Sequence, residues 1–223
     1  MIDTKESCFA VEDSIDGEYF ALEFEEVGER AQEHLQSVWQ RLNLALDSHA
    51  KKEELAAPNW LSWSPWKWTT DKREAYANRQ KYVGWCGSQL AGILNVWPNF
   101  TPDVPGNTGA TGLYIEHVAC SPGNLTTSLW ARRYNSVGTA MFAFAVFLSR
   151  EQGFQGRVSL HAVDAAAVRF YRRIDEKLGG GLFQTERQGI IGPTPHGNES
   201  DRNRIFFETT VLGAEKLLQV YHA

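Results

Sequence analysis

The stretch from Leu113 to Tyr171 constrains this chain most, because it reads as strand, loop, helix, strand and helix in unbroken order. Gly112–Cys120 is a strong strand, followed by the turn residues Ser121-Pro122-Gly123-Asn124. Ser136-Val137-Gly138-Thr139 opens a helix over Gly138–Gln152, which Gly153 closes. Arg157–Val163 is the next strand. Asp164 caps a helix from Ala165 to about Lys177, which stops at Gly179-Gly180-Gly181. A strand–helix–strand unit places a ligand site at the carboxyl end of its first strand. There the helix start offers unpaired N–H groups and a partial positive charge, which suit a phosphate. Small residues at Ser136 and Gly138 let an anion approach the backbone, and Arg132 and Arg133 add charge.

The flanking segments predict a mixed sheet. Strands are expected at Ser7–Val11 and near Glu18–Phe24. A helix is expected from about Glu25 to Ala56, with Leu35, Val38, Trp39, Leu42 and Leu46 on its apolar face. Pro58 ends it, Asn59–Trp68 reads as a loop, and Thr69–Gln80 as a short polar helix. Lys81–Cys86 and Leu90–Trp97 form a hairpin about Gly87-Ser88-Gln89. Pro98–Gly112 is a loop. After Gly189–Asn203, another loop, come a strand at Arg204–Thr210 and a helix at Gly213–Val220. The expected architecture is a single α/β domain over residues 1–223, its mixed sheet flanked by helices on both faces. In it, 1–80 is a largely helical N-terminal portion, 81–178 the core, and 179–223 the part completing the acceptor side.

Composition narrows the function. With 43% apolar and 22% charged residues the chain is an ordinary globular protein. A net charge of −5 argues against a nucleic-acid partner, which needs clustered Lys and Arg. The three cysteines, Cys8, Cys86 and Cys120, have neither disulfide nor zinc spacing, so no metal is expected. The longest apolar run, Ala140–Leu148, is short of the roughly 20 residues that span a bilayer. No membrane association and a cytoplasmic location are therefore the expectation. Trp60, Trp63, Trp66, Trp68 and Trp85 crowd one stretch, as packing residues, a groove wall or an interaction surface.

Three motifs, taken together, resemble the GNAT N-acetyltransferase superfamily. Leu113–Pro122 is similar to that family's central strand with its closing proline. Arg133-Tyr134-Asn135-Ser136-Val137-Gly138-Thr139-Ala140 is similar to its acyl-CoA loop, Q/R-x-x-G-x-G/A. Asp164–Tyr171 is similar to its N-x-x-A-x-x-F/L-Y helix. The hairpin at Lys81–Trp97 extends the likeness. Three departures stand out: Ser136 replaces the first loop glycine, where serine suits a negative φ; Asp164 replaces asparagine; and Asn124–Arg132 is an insertion.

The resemblance implies the GNAT acyl-CoA N-acyltransferase fold, acetyl-CoA as cosubstrate and an amine as acceptor. Backbone N–H groups of Val137, Gly138 and Thr139, with Arg133 and Ser136, would hold the CoA pyrophosphate. Main-chain groups of Val118 and Cys120 would pair with pantetheine as an added strand, exposed by a bulge. Glu116 is the candidate general base, with a raised pKa, and His117 its rival. Strand alternation puts one of the two on the acceptor face unless a bulge intervenes. Tyr171 is the candidate general acid. Arg169, Arg172 and Arg173 either meet the CoA 3′-phosphate or form a solvated helix face. His161 reads as a satisfied core histidine. An acyl-CoA-binding module without turnover and a protein-interaction module are the alternatives. The acceptor's identity is open, as is the oligomeric state, a homodimer included.

Overall fold

The computed structural model describes residues 8–52, 78–103, 110–124, 133–193 and 203–221. The loop at Asn59–Trp68, its four tryptophans, nearly all of the helix expected at Thr69–Gln80 and the Asn124–Arg132 insertion beyond Asn124 lie outside them.

Nine strands form one mixed sheet in the order β6-β1-β2-β3-β4-β5-β7-β9-β8. They are β1 (Cys8–Asp13), β2 (Tyr19–Glu26), β3 (Gln80–Cys86), β4 (Gln89–Phe100), β5 (Gly112–Cys120), β6 (Tyr134–Asn135), β7 (Val158–Ala162), β8 (Phe183–Arg187) and β9 (Ile205–Thr209). Every pairing is antiparallel except β5 with β7, which is parallel. The mixed α/β architecture is as expected, and so are the β3–β4 hairpin and the β5 span.

Helices cover both faces. On one lie α1 (Glu29–His34), a π-turn (Leu35–Trp39) and α2 (Gln40–Lys52). The other carries α3 (Val137–Glu151), α4 (Ala165–Lys177) and α5 (Val211–Tyr221). α3 is apolar almost all round, and a helix of that kind belongs inside. Phe144 stacks on Phe24 with ring centroids 3.8 Å apart, and Phe9 meets both edge-on. Met141 lies against Gly92, where an added Cβ would be 2.7 Å from its Sδ, so glycine there lets α3 approach the sheet. Each large side chain fully buried in this layer contributes roughly 1.5–3 kcal/mol.

The two strands expected near the N-terminus are present as β1 and β2 and belong to the sheet. Three expectations need correction. β2 runs to Glu26 and α1 starts only at Glu29: Leu22 and Phe24 are buried while Ala21 and Glu23 are exposed, a strand's period of two. The π-turn shifts the helical phase and turns Val38 outward to 38% exposure, while Leu35 and Trp39 stay buried. Phe183–Arg187, not anticipated as a strand, forms the sheet edge as β8 on the already paired β9.

Candidate active site

β5 ends at Cys120, and α3 begins at Val137 behind the two-residue strand β6. The Asn124 side chain closes this turn. Its Oδ1 accepts from the Tyr134 N–H at 2.6 Å and its Nδ2 donates to the Tyr134 carbonyl at 2.9 Å, the work of a strand neighbour. Ser136 precedes the helix at φ 64°, ψ 5°. The condition under which serine suits this position, a negative φ, is not met: the backbone is in the left-handed region for which glycine is suited. Its carbonyl accepts the first helical bond, from the Ala140 N–H at 2.9 Å. The N–H groups of Val137, Gly138 and Thr139 precede that bond and have no intrahelical acceptor.

A cavity of about 330 Å³ opens there, lined by Cys120, Ser136, Val137, Gly138 and Thr139 from the β5–α3 turn and by Phe170, Arg173 and Lys177 from α4. Thus Ser136, Val137, Gly138 and Thr139, expected around a phosphate, and Cys120, expected along pantetheine, line one space. A Cβ added at Gly138 would lie 3.3 Å from Phe170 and 3.7 Å from Cys120 Sγ, so glycine keeps this wall low. Arg133 is elsewhere. It sits 3.5 Å from Asp13 Oδ2, with its guanidinium over the Tyr134 ring, and lines a second cavity of about 340 Å³ beside His34 and Gln89. Lys177 was missed, though its spacing from Phe170, Arg173 and Ile174 marks one helical face.

β5 parts from β7 just before the cavity. Their ladder covers only Leu113–Ile115 against Val158–Leu160, whereas β5 continues to Cys120 beside β4. Val118 and Cys120 pack against the α3-side core with side chains partly exposed, on the length of β5 that β7 has left. At the parting point, Asn95 pairs with His117 and Val96 with Ile115, which makes Glu116 the extra residue of a β-bulge. Glu116 and His117 consequently meet: His117 Nδ1 is 3.5 Å from Glu116 Oε2. Alternation does not choose between them, because the bulge suspends it.

Glu116 is held on its other side by Arg79, with Nη2 donating to Oε1 and Nε 2.6 Å from Oε2, both side chains at least nine-tenths buried. Burial alone pushes its carboxyl up. The neighbouring His117, the Arg79 guanidinium and the Trp97 indole outweigh that, and the net direction is down. The expected raised pKa is thereby overturned. Tyr171 is 5% exposed among Phe142, Phe170, Phe183 and Phe207. Burial, and then the neighbouring Cys120, push its hydroxyl up, so it keeps its proton across the physiological range. Arg172 pairs with Glu186 at the surface, and Arg169 lines a shallow groove at the start of α4. His161 accepts from, or donates to, Tyr114 Oη at 2.8 Å through Nδ1, while its Nε2 lies 3.0 Å from the Ile190 carbonyl. The carbonyl can only accept, so Nε2 carries the proton and Tyr114 donates to Nδ1. This is the satisfied core histidine expected. Among the described residues no cluster of metal-binding side chains occurs, and no helix is long and apolar enough to cross a membrane.

No protein-family model and no curated protein matches the chain. Solved structures do. The chain is similar to an aminoglycoside 6′-acetyltransferase of type Ii at 12% identity, over 84% of this chain and 96% of that one, with a TM-score of 0.44. It is similar to the PaiA N-acetyltransferase of Thermoplasma acidophilum, solved with coenzyme A, at 10% identity, over 85% and 98%, with a TM-score of 0.45. A GNAT-family structure from Desulfovibrio desulfuricans matches at 12% identity, over 86% and 99%, with a TM-score of 0.44. These likenesses concern the course of the chain and assign no role to any residue.

Proposed function

We propose that this chain is an acetyl-CoA-dependent N-acetyltransferase of the GNAT type that acylates an amine by direct attack. One observation carries the reading. The cavity at the start of α3 combines a turn of backbone donors with Arg173 and Lys177, and it adjoins the stretch of β5 that β7 has left. Backbone N–H groups of Val137, Gly138 and Thr139 suit the CoA diphosphate, aided by the two α4 cations. The edge of β5 around Val118 and Cys120 suits pantetheine amides, which pair as a strand does.

Acetyl-CoA supplies the activated acyl group as its thioester. The chain's part is to hold it, deprotonate the amine and protonate the thiolate that leaves. For the first proton the geometry favours His117 over Glu116, because Glu116 is tied to Arg79 and stays ionised. The Glu116 carboxylate orients the imidazole, as carboxylates do in catalytic triads. A main-chain N–H near Val118 stabilises the oxyanion. Tyr171, neutral and beside Cys120 at the end of β5, returns a proton to sulfur.

Binding of acyl-CoA without turnover is the second reading, favoured by the neutralised Glu116–Arg79 pair. Two measurements separate them. A melting curve with acetyl-CoA is expected to rise under both. At a ligand concentration of 100 Kd the gain is about 2.7 kcal/mol, or roughly 5–10 °C for a chain of this size. Thiol release with pooled amines is expected only for the enzyme. Tyr171→Phe is expected to lower kcat by about 100-fold and leave acetyl-CoA affinity within about twofold. Unchanged turnover would remove its role as acid.

A further inference from the structure

Asn95 lies in the middle of β4 at 1% exposure, and neither Oδ1 nor Nδ2 of its carboxamide has a hydrogen-bond partner among the described residues. Burying such a group unpaired costs roughly 1–3 kcal/mol, and some 90% of buried polar groups avoid it. Two residues away along β4 are Ile93 and Trp97, both buried and apolar. Leucine in place of Asn95 has the same branched outline, though bulkier, and carries no such penalty. An unpaired amide retained at such a cost has a task outside the folded chain.

Its position indicates the task. Asn95 is the cross-strand partner of His117. Side chains directly opposite one another have Cβ atoms about 4.5–5.5 Å apart. The bulge turns Glu116 toward His117 as well, and His117, at 23% side-chain exposure, opens the cluster to solvent. We infer that Asn95 is an acceptor-binding residue: its Oδ1 accepts an N–H of the amine to be acylated, while Nδ2 donates to an oxygen on the adjacent carbon. That pattern defines the acceptor as a 1,2-amino alcohol. The inference rests on the acetyltransferase reading above. A carboxylate in this place would hold the amine as ammonium. A neutral amide lets it give its proton to His117, keep an N–H on Oδ1 and aim its lone pair at the thioester. Glu116 does not compete for the ammonium, since Arg79 already pairs with it.

The test compares wild type with Asn95→Leu, using ethanolamine and propylamine, which differ by a hydroxyl in place of a methyl. Asn95→Leu is expected to unfold at the same or a higher denaturant concentration. With CoA present, ethanolamine is expected to raise the melting temperature of wild type and not of the variant. With acetyl-CoA, kcat/KM for ethanolamine is expected at least tenfold above that for propylamine in wild type. In the variant the two converge, through loss of the ethanolamine value. A variant that unfolds at clearly lower denaturant makes Asn95 structural and overturns the inference, as does wild type that binds or acetylates both amines equally. Selective ethanolamine binding without acetyl transfer leaves the Asn95 site standing and removes the enzyme. Equal transfer to both amines leaves the enzyme and removes the Asn95 site.

Discussion

Ser136 occupies a backbone conformation that costs an L-residue roughly 1–2 kcal/mol, and no hydrogen bond from its own side chain to the helix offsets it. The turn needs that conformation to bring three N–H groups into one cavity. Ser136→Gly is therefore expected to stabilise the fold by about 1 kcal/mol, measured by chemical denaturation, with acetyl-CoA affinity unchanged or higher. Ser136→Val is expected to destabilise, since a β-branched residue tolerates positive φ poorly. The need for glycine at this point was readable from the loop pattern. The strain was not, because a serine in a sequence does not declare the sign of its φ.

α4 divides its surface between two duties. Tyr171 and Ile174 turn inward to the aromatic core, and Phe170, Arg173 and Lys177 edge the cavity. Asp164 anchors the helix by accepting from the Ala167 N–H at 2.8 Å. Of the three arginines singled out in this helix, only Arg173 reaches the candidate diphosphate cavity. Replacing both Arg173 and Lys177 with alanine is expected to weaken acetyl-CoA binding by about tenfold at low salt, and by less at high salt, where surface charges are screened. Titration calorimetry at two ionic strengths checks this, and a loss independent of salt would speak for a packing effect. The helix limits follow from local chemistry: a capping aspartate at one end and three glycines at the other. Which arginine faces the cavity follows from how α4 rotates onto α3, and that depends on packing.

The whole molecule encloses a buried ion pair, Arg79 with Glu116, joining the segment before β3 to the bulge in β5. Burial raises the folded-state Glu116 carboxyl, but His117, Arg79 and Trp97 together hold it below its ordinary value, so this cluster contributes stability above the unfolded pKa. That contribution is lost as pH falls through the lowered folded value. Unfolding measured along an acid series is expected to show this loss beginning below about pH 4.5. Glu116→Gln is expected to flatten the slope in that range and to cost about 3–5 kcal/mol at neutral pH, because the buried Arg79 loses its counter-charge. An unchanged acid slope in the variant would show that other carboxylates govern acid unfolding.

Much of this molecule was written in its local residue patterns. The β3–β4 hairpin, the span of β5, the buried α3 and the capped α4 follow from hydrophobic period and from turn and cap residues, which act over a few positions. So does the location of the candidate diphosphate turn. Other features depend on partners far along the chain. Glu116 was readable as a strand carboxylate, but Arg79 stands 37 positions away, and with His117 it lowers the pKa that burial alone would raise. The bulge that brings His117 beside it exists only in the register of β5 against β4. The same register sets Asn95 opposite His117. Register is a property of two strands packed together, and neither strand carries it alone.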